Sequence, residues 1–127
     1  MRGLLARHLR EGGYDVRRAA DAVAAGFAVL AALPGLIVFD AQTHELEWLR
    51  FCATLRADRS IPRIPALFLS AEEDGMQKAL RVGAAGWLTT PVVKDRLLTA
   101  VGLVLRRQAA FAAEASRTQP ALQHAAR

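Results

Sequence analysis

Cysteine is nearly missing from this sequence: Cys52 stands alone. One thiol excludes an intrachain disulfide framework and a cysteine-built zinc site. It falls in an apolar-periodic stretch, where a buried thiol in a reducing, cytoplasmic setting is the ordinary outcome. Histidine is scarce too. His8, His44 and His124 are far apart and none closes an expected strand, so a metal centre or a nucleophile–base pair has no support, and an enzyme is not expected. Each reads as a solvated surface residue. Lysine is rarer still, at 2 against 15 arginines. Of the net charge of +5, Arg106, Arg107, Arg117 and Arg127 against Glu114 place +3 in the last 22 residues. The body carries only +2, so nucleic-acid binding is not expected of it. An unbroken membrane span is lacking as well. Ala22 to Phe39 runs 18 residues without a charge, but Pro34-Gly35 divides it into a buried helix and a buried strand, and no membrane role is expected. The basic opening from Arg2 to Arg10 carries Leu4, Leu5 and Leu9 as the inner stripe of an ordinary helix rather than a targeting peptide.

What is present suits one core: 127 residues, 53% of them apolar. The organising stretch is Pro34-Gly35-Leu36-Ile37-Val38-Phe39-Asp40, four large apolar residues that follow a chain-breaking pair and end on an acid. Such a run reads as a strand buried on both faces. In open α/β sheets the carboxyl ends of the strands form the ligand crevice, so Asp40 is a site candidate as well as a candidate helix cap.

Around it, Met1 to Glu11 has helical periodicity and stops at Gly12-Gly13, and Tyr14 to Ala19 alternates as a short strand. Asp21 caps a second helix that ends before Pro34. His44 to Ala57 is helical, Ala66 to Ser70 is an apolar strand ending on a hydroxyl, and Glu72-Glu73-Asp74 supplies an acidic first helical turn. Gly86 to Thr89 is a short strand stopped by Pro91. The last helix carries Leu97, Leu98, Val101 and Leu105, stays helical to about Ser116 and releases a loose tail at Thr118-Gln119-Pro120. Helices alternating with strands demand a parallel sheet covered on both faces. Asp40, Ser70 and Thr90 then converge on one sheet edge.

In this order the motifs resemble the receiver domain of two-component response regulators. The match runs from about residue 2 to residue 107 and is carried by Gly13-Tyr14-Asp15-Val16, Pro34 to Asp40, Ile64-Pro65-Ala66-Leu67-Phe68-Leu69-Ser70-Ala71 and Gly83-Ala84-Ala85-Gly86-Trp87-Leu88-Thr89-Thr90-Pro91. The resemblance implies an α/β, three-layer flavodoxin-like parallel sheet. It divides the chain into a receiver-like domain, 1–107, and an Ala/Arg-rich helical extension and tail, 108–127. It places the phosphoacceptor for a histidine kinase or phosphotransfer protein on Asp40, the switch hydroxyl on Ser70 and the switch aromatic on Trp87. It also implies a cis Thr90-Pro91 bond and a homodimer through the last helix, for which Phe111 among alanines is the added signal.

Two departures weaken the expected chemistry. The family's first strand, ending in paired acids that hold Mg²⁺, has no counterpart here, and its phosphate-pairing lysine is Thr90. Asp40 alone makes a weak Mg²⁺ ligand set, and Thr90 offers a hydroxyl where a fixed positive charge is wanted. The expectation is a receiver that signals by protein–protein contact with feeble phosphorylation. The alternative is a small module that binds a phosphate ligand or nucleic acid through the C-terminal arginines. In the family's order 2-1-3-4-5 the missing strand lies between Tyr14–Ala19 and Leu36–Asp40. Tyr14–Ala19 is therefore expected to move across and pair directly with Leu36–Asp40, giving four strands.

Overall fold

The computed structural model describes residues 2–40, 45–71, 74–81 and 83–126, with side chains for all of these except 2, 45, 112 and 115–126. The elements run α1 (Arg2–Glu11), α2 (Ala22–Ala31), β1 (Ile37–Asp40), α3 (Glu45–Ala57), β2 (Ala66–Ser70), α4 (Gly75–Arg81), β3 (Gly86–Thr89) and α5 (Lys94–Ala126). The strands form a parallel sheet in the order β1-β2-β3. Parallel pairing needs crossover connections, which α3 and α4 supply.

The strand residues alternate between two apolar layers. On one face Phe39 and Phe68 pack with Cys52 and Ala79, joined by Trp48 and Phe51 of α3. Phe39 meets Trp48 and Phe51 edge-on, with ring centroids 5.5 and 6.0 Å away. On the other face Leu67 and Leu69 pack with Leu97 and Val101 of α5 and with Leu5 and Leu9 of α1. The central strand β2 is the best covered, with Phe68 and Leu69 fully buried.

Local signals explain the helix ends. Asp21 caps α2 by accepting from Ala24 N at 2.8 Å. Gly13 turns the chain after α1 at φ 93°, and Gly83 does so after α4 at φ 66°. The Thr90-Pro91 peptide is cis, as the resemblance implies.

Four expectations are corrected. First, Tyr14–Ala19 is not a strand, and among the described residues no backbone hydrogen bond joins it to β1. The sheet has three strands, and a cavity of about 540 Å³ separates β1 from residues 14–20. Side chains hold the segment away: Arg17 donates to Ala28 O and Ala32 O at the end of α2, and Arg10 donates to Val16 O. Second, α4 begins at Gly75, so Asp74 precedes it and its carbonyl accepts from Lys78 N. Glu72 and Glu73 lie outside the described residues. Third, α5 continues through Pro120 to Ala126, because a proline removes one donor while the alanine-rich flanks favour helix strongly. Fourth, His8 is half-buried with Nδ1 enclosed and without a hydrogen-bond partner, because its place on α1 lies beside the packed Leu5 and Leu9 stripe. His44 and the side chain of His124 lie outside the described residues.

Candidate functional site

Because the strands are parallel, their carboxyl ends share one edge of the sheet. Asp40 closes β1 and stands in register with Leu69, and Ser70 closes β2 in register with Thr89. Thr90 N donates to Ser70 O at 3.1 Å, which carries the ladder one residue past β3 and sets Thr90 beside Ser70. The structure thus brings Asp40, Ser70 and Thr90 to adjacent strand ends, as the sequence suggests.

Their surroundings differ. Ser70 is 3% exposed and is the buried polar side chain among the described residues, whereas Asp40 and Thr90 are half-buried. Gly75, the first residue of α4, lies directly over Ser70. A Cβ there would sit 2.9 Å from Ser70 Cβ, 3.2 Å from Ser70 Oγ and 3.4 Å from Trp87 Cδ1. Gly75 therefore lets α4 close onto the hydroxyl and links it to Trp87, which is 40% exposed. Sequence reasoning missed this residue. Its only signal is a glycine at a helix start just after an acidic run, which also fits an ordinary turn.

Neither lysine takes the place of the family's pocket lysine. Lys78 pairs with Asp74 at 3.3 Å, and Lys94 pairs with Glu11. The hydrogen bond and charge of Lys94 hold the Glu11 carboxyl below its ordinary range. Cys52 is buried against Phe39 and Phe68, and burial pushes its thiol up to about 11, so it is an inert core residue. Arg106 and Arg107 are exposed on α5.

For a divalent cation the donor set is a poor fit. Among the described residues no three acids, histidines or cysteines come together, and the strand edge offers one carboxylate, Asp40. Among the described residues no helix is long and apolar enough to cross a membrane.

Residues 1–102 match the family model described as response regulator receiver domain. The chain is 31% identical over 107 residues to the DNA-binding dual master transcriptional regulator RpaA of Synechocystis, covering 82% of this chain and 44% of that protein. It is also 31% identical over 106 residues to the alkaline phosphatase synthesis transcriptional regulatory protein PhoP of Bacillus subtilis, covering 82% and 43%. The chain thus spans less than half the length of these relatives. Among solved structures it is similar to the receiver domain of NtrX from Brucella abortus, with a TM-score of 0.72, 26% identity and coverage of 83% of this chain and 89% of that one. It is likewise similar to the chemotaxis protein CheY4 of Vibrio cholerae, with a TM-score of 0.72, 28% identity and coverage of 81% and 88%. Receiver domains are in general signalling modules rather than enzymes, and they commonly bind Mg²⁺. The chain belongs to the receiver domains of response regulators, the modules of two-component, phosphorelay signalling.

Proposed function

We infer that Asp40 is the phosphoacceptor of this receiver, that it accepts slowly, and that the domain acts chiefly through protein–protein contact. The observation that carries this reading is the convergence of Asp40, Ser70 and Thr90 on adjacent strand ends, with the Thr90 N to Ser70 O bond drawing the last two together. In the transfer step a carboxylate oxygen of Asp40 attacks the phosphorus of a phosphohistidine on a kinase or phosphotransfer protein. The nitrogen–phosphorus bond breaks with its electron pair left on the imidazole, and the acyl phosphate forms on Asp40. Ser70, enclosed beneath Gly75, is the hydroxyl that donates to a phosphoryl oxygen, and Thr90 supplies a second hydroxyl.

Phosphoryl transfer is mostly positioning plus stabilisation of charge on the phosphoryl oxygens. Hydroxyls provide the hydrogen bonds but no fixed positive charge, since Lys78 and Lys94 are both committed to carboxylates. With one carboxylate at the edge, Asp40 would hold Mg²⁺ only weakly. Trp87, packed against Gly75, is the aromatic whose setting would register a change at Ser70. Residues 1–107 are the signalling unit, and the extension 108–127, helical as far as Ala126, serves contact with a second copy. A cytoplasmic location suits this role and the free thiol of Cys52.

The test is intact-mass analysis after incubation with acetyl phosphate and Mg²⁺. The expected result is slow addition of a single phosphoryl group to a minority of molecules, lost in Asp40→Asn. Rapid, near-complete modification would overturn the slow-acceptor reading, and modification that persists in Asp40→Asn would overturn the assignment.

A further inference from the structure

The helix α2 turns its larger side chains outward. It packs inward through Ala25 and Val29, while Val23, Phe27 and Leu30 are 67, 71 and 73% exposed. At about 100° per residue these three fall within roughly 60° of one another, on a single stripe. No charged residue stands between Ala22 and Phe39 to hold that stripe in water. A helix that is apolar all round is ordinarily buried, yet among the described residues nothing covers this side of α2. Beside Val23 a groove of about 660 Å³ between α2 and α3 is lined by Leu46 and Phe51, and Leu46 is itself exposed, so groove and stripe form one apolar patch. The two ends of the helix carry opposite charge. Asp21 caps the N-terminus, and Arg17 donates to Ala28 O and Ala32 O at the C-terminus. Both side chains are exposed.

We propose that this stripe is a contact for a second copy of the chain, made by two α2 helices packed antiparallel about a two-fold axis. Such a contact requires a surface that is complementary to itself. Reversing α2 about a point beside Gly26 and Phe27 sets Val23 of each copy against Leu30 of the other and places both Phe27 rings near the axis. The same reversal brings Asp21 of each copy to the helix end at which Arg17 of the other is bound, and it opposes the two helix dipoles. A parallel pair would set like charges side by side. A strongly charged partner would leave its charges unmatched over an uncharged stripe. An exposed apolar patch of this kind covers about 300–600 Å², and two together only approach the roughly 1,200 Å² at which stable interfaces begin, so the pair is weak and reversible. The neighbour of α2 is α3, which covers the sheet face opposite α1 and α5. This contact is therefore distinct from the one proposed for α5, and it depends neither on that contact nor on phosphorylation of Asp40.

The test is paramagnetic broadening between copies, which registers weak contacts. Isotopically labelled chain is mixed at millimolar concentration with unlabelled chain that carries a nitroxide on Ala20→Cys, an exposed position just ahead of α2; the buried Cys52 stays unmodified. The expected result is broadening along α2 of the labelled chain that is stronger at the amides of Leu30 to Leu33 than at those of Ala22 to Ala24. The opposite gradient would mean a parallel pair and would overturn the antiparallel arrangement. Phe27→Asp in both chains should cut the broadening about tenfold or more, as the loss of a central apolar anchor does. Because Phe27 is exposed, this change leaves the fold in place, which unchanged β2 amide resonances would verify. Phe111→Asp in both chains should leave the broadening on α2 as it was. Its loss in that variant would hand the contact to α5 and overturn the proposal. Absence of broadening along α2 would also overturn it, leaving the stripe to a chain of different sequence.

Discussion

At the scale of single residues, Cys52 and Gly75 make opposite uses of close packing. Cys52 sits among Phe39, Phe68 and Ala79, where burial raises its thiol from 9.0 to about 11 and the nearby charge of Arg56 offsets only part of that. The folded state therefore holds the thiol proton more tightly than the unfolded chain. The resulting stability is fully present below pH 9 and is lost as pH rises through about 11. Relative to Cys52→Ala, the native chain should lose roughly 2–3 kcal/mol across that window, read from urea melts at both ends. Parallel losses in the two proteins would show that the thiol is solvated. Gly75 is small because Ser70 is beneath it. A methyl group 2.9 Å from Ser70 Cβ must displace α4, since the Ser70 backbone is fixed in β2. Gly75→Ala should thus destabilise by about 1–3 kcal/mol despite the better helix propensity of alanine, seen as a lowered denaturant midpoint. An unchanged midpoint would mean that α4 lifts freely from the site.

At the scale of elements, the strands with continuous apolar runs were legible because burial on both faces leaves a strong mark on composition. Ala66–Ser70 and Gly86–Thr89 form with the limits read from their flanking prolines and glycines. The strand-end positions of Asp40, Ser70 and Thr90 were legible for the same reason, since each closes or follows such a run. Tyr14–Ala19 was not. Its alternation fits a strand, yet a strand needs a neighbour, and Arg17 instead spends its donors on the α2 carbonyls. Gly75 was illegible because the close approach that requires it is made by residues distant in sequence. The end of α5 lies beyond the limit that Pro120 suggests, because the alanines around it outweigh one missing backbone donor. That helix carries Leu103 and Phe111, 41% and 67% exposed, on one side of the helix with exposed Arg107 between them. If a second copy covers them, sedimentation at high concentration should show dimers that Phe111→Asp dissociates. A monomer unaffected by that change would leave α5 without a role in self-association.

For the whole molecule, stability should be graded from the centre of the sheet toward the cavity. β2 is bonded on both sides and its Leu67, Phe68 and Leu69 are at most 1% exposed, so its amides can exchange only when the domain opens globally. β1 is bonded on one side, and its other edge faces a cavity of about 540 Å³. Residues 14–20 are tied through arginine side chains rather than a backbone ladder, and these exposed bonds hold the segment weakly. A small domain has only about 5–15 kcal/mol of net stability, and β1 pairs with a strand on one side alone among the described residues, which makes it easier to open than β2. Native-state hydrogen exchange should therefore find Phe68 and Leu69 slowest, Val38 faster, and residues 14–20 fastest, with about a hundredfold or more between the extremes. If Val16 and Val38 instead exchanged as slowly as Phe68, the segment and β1 would be paired directly in solution. The sheet would then have four strands, and the cavity would have closed without any occupant.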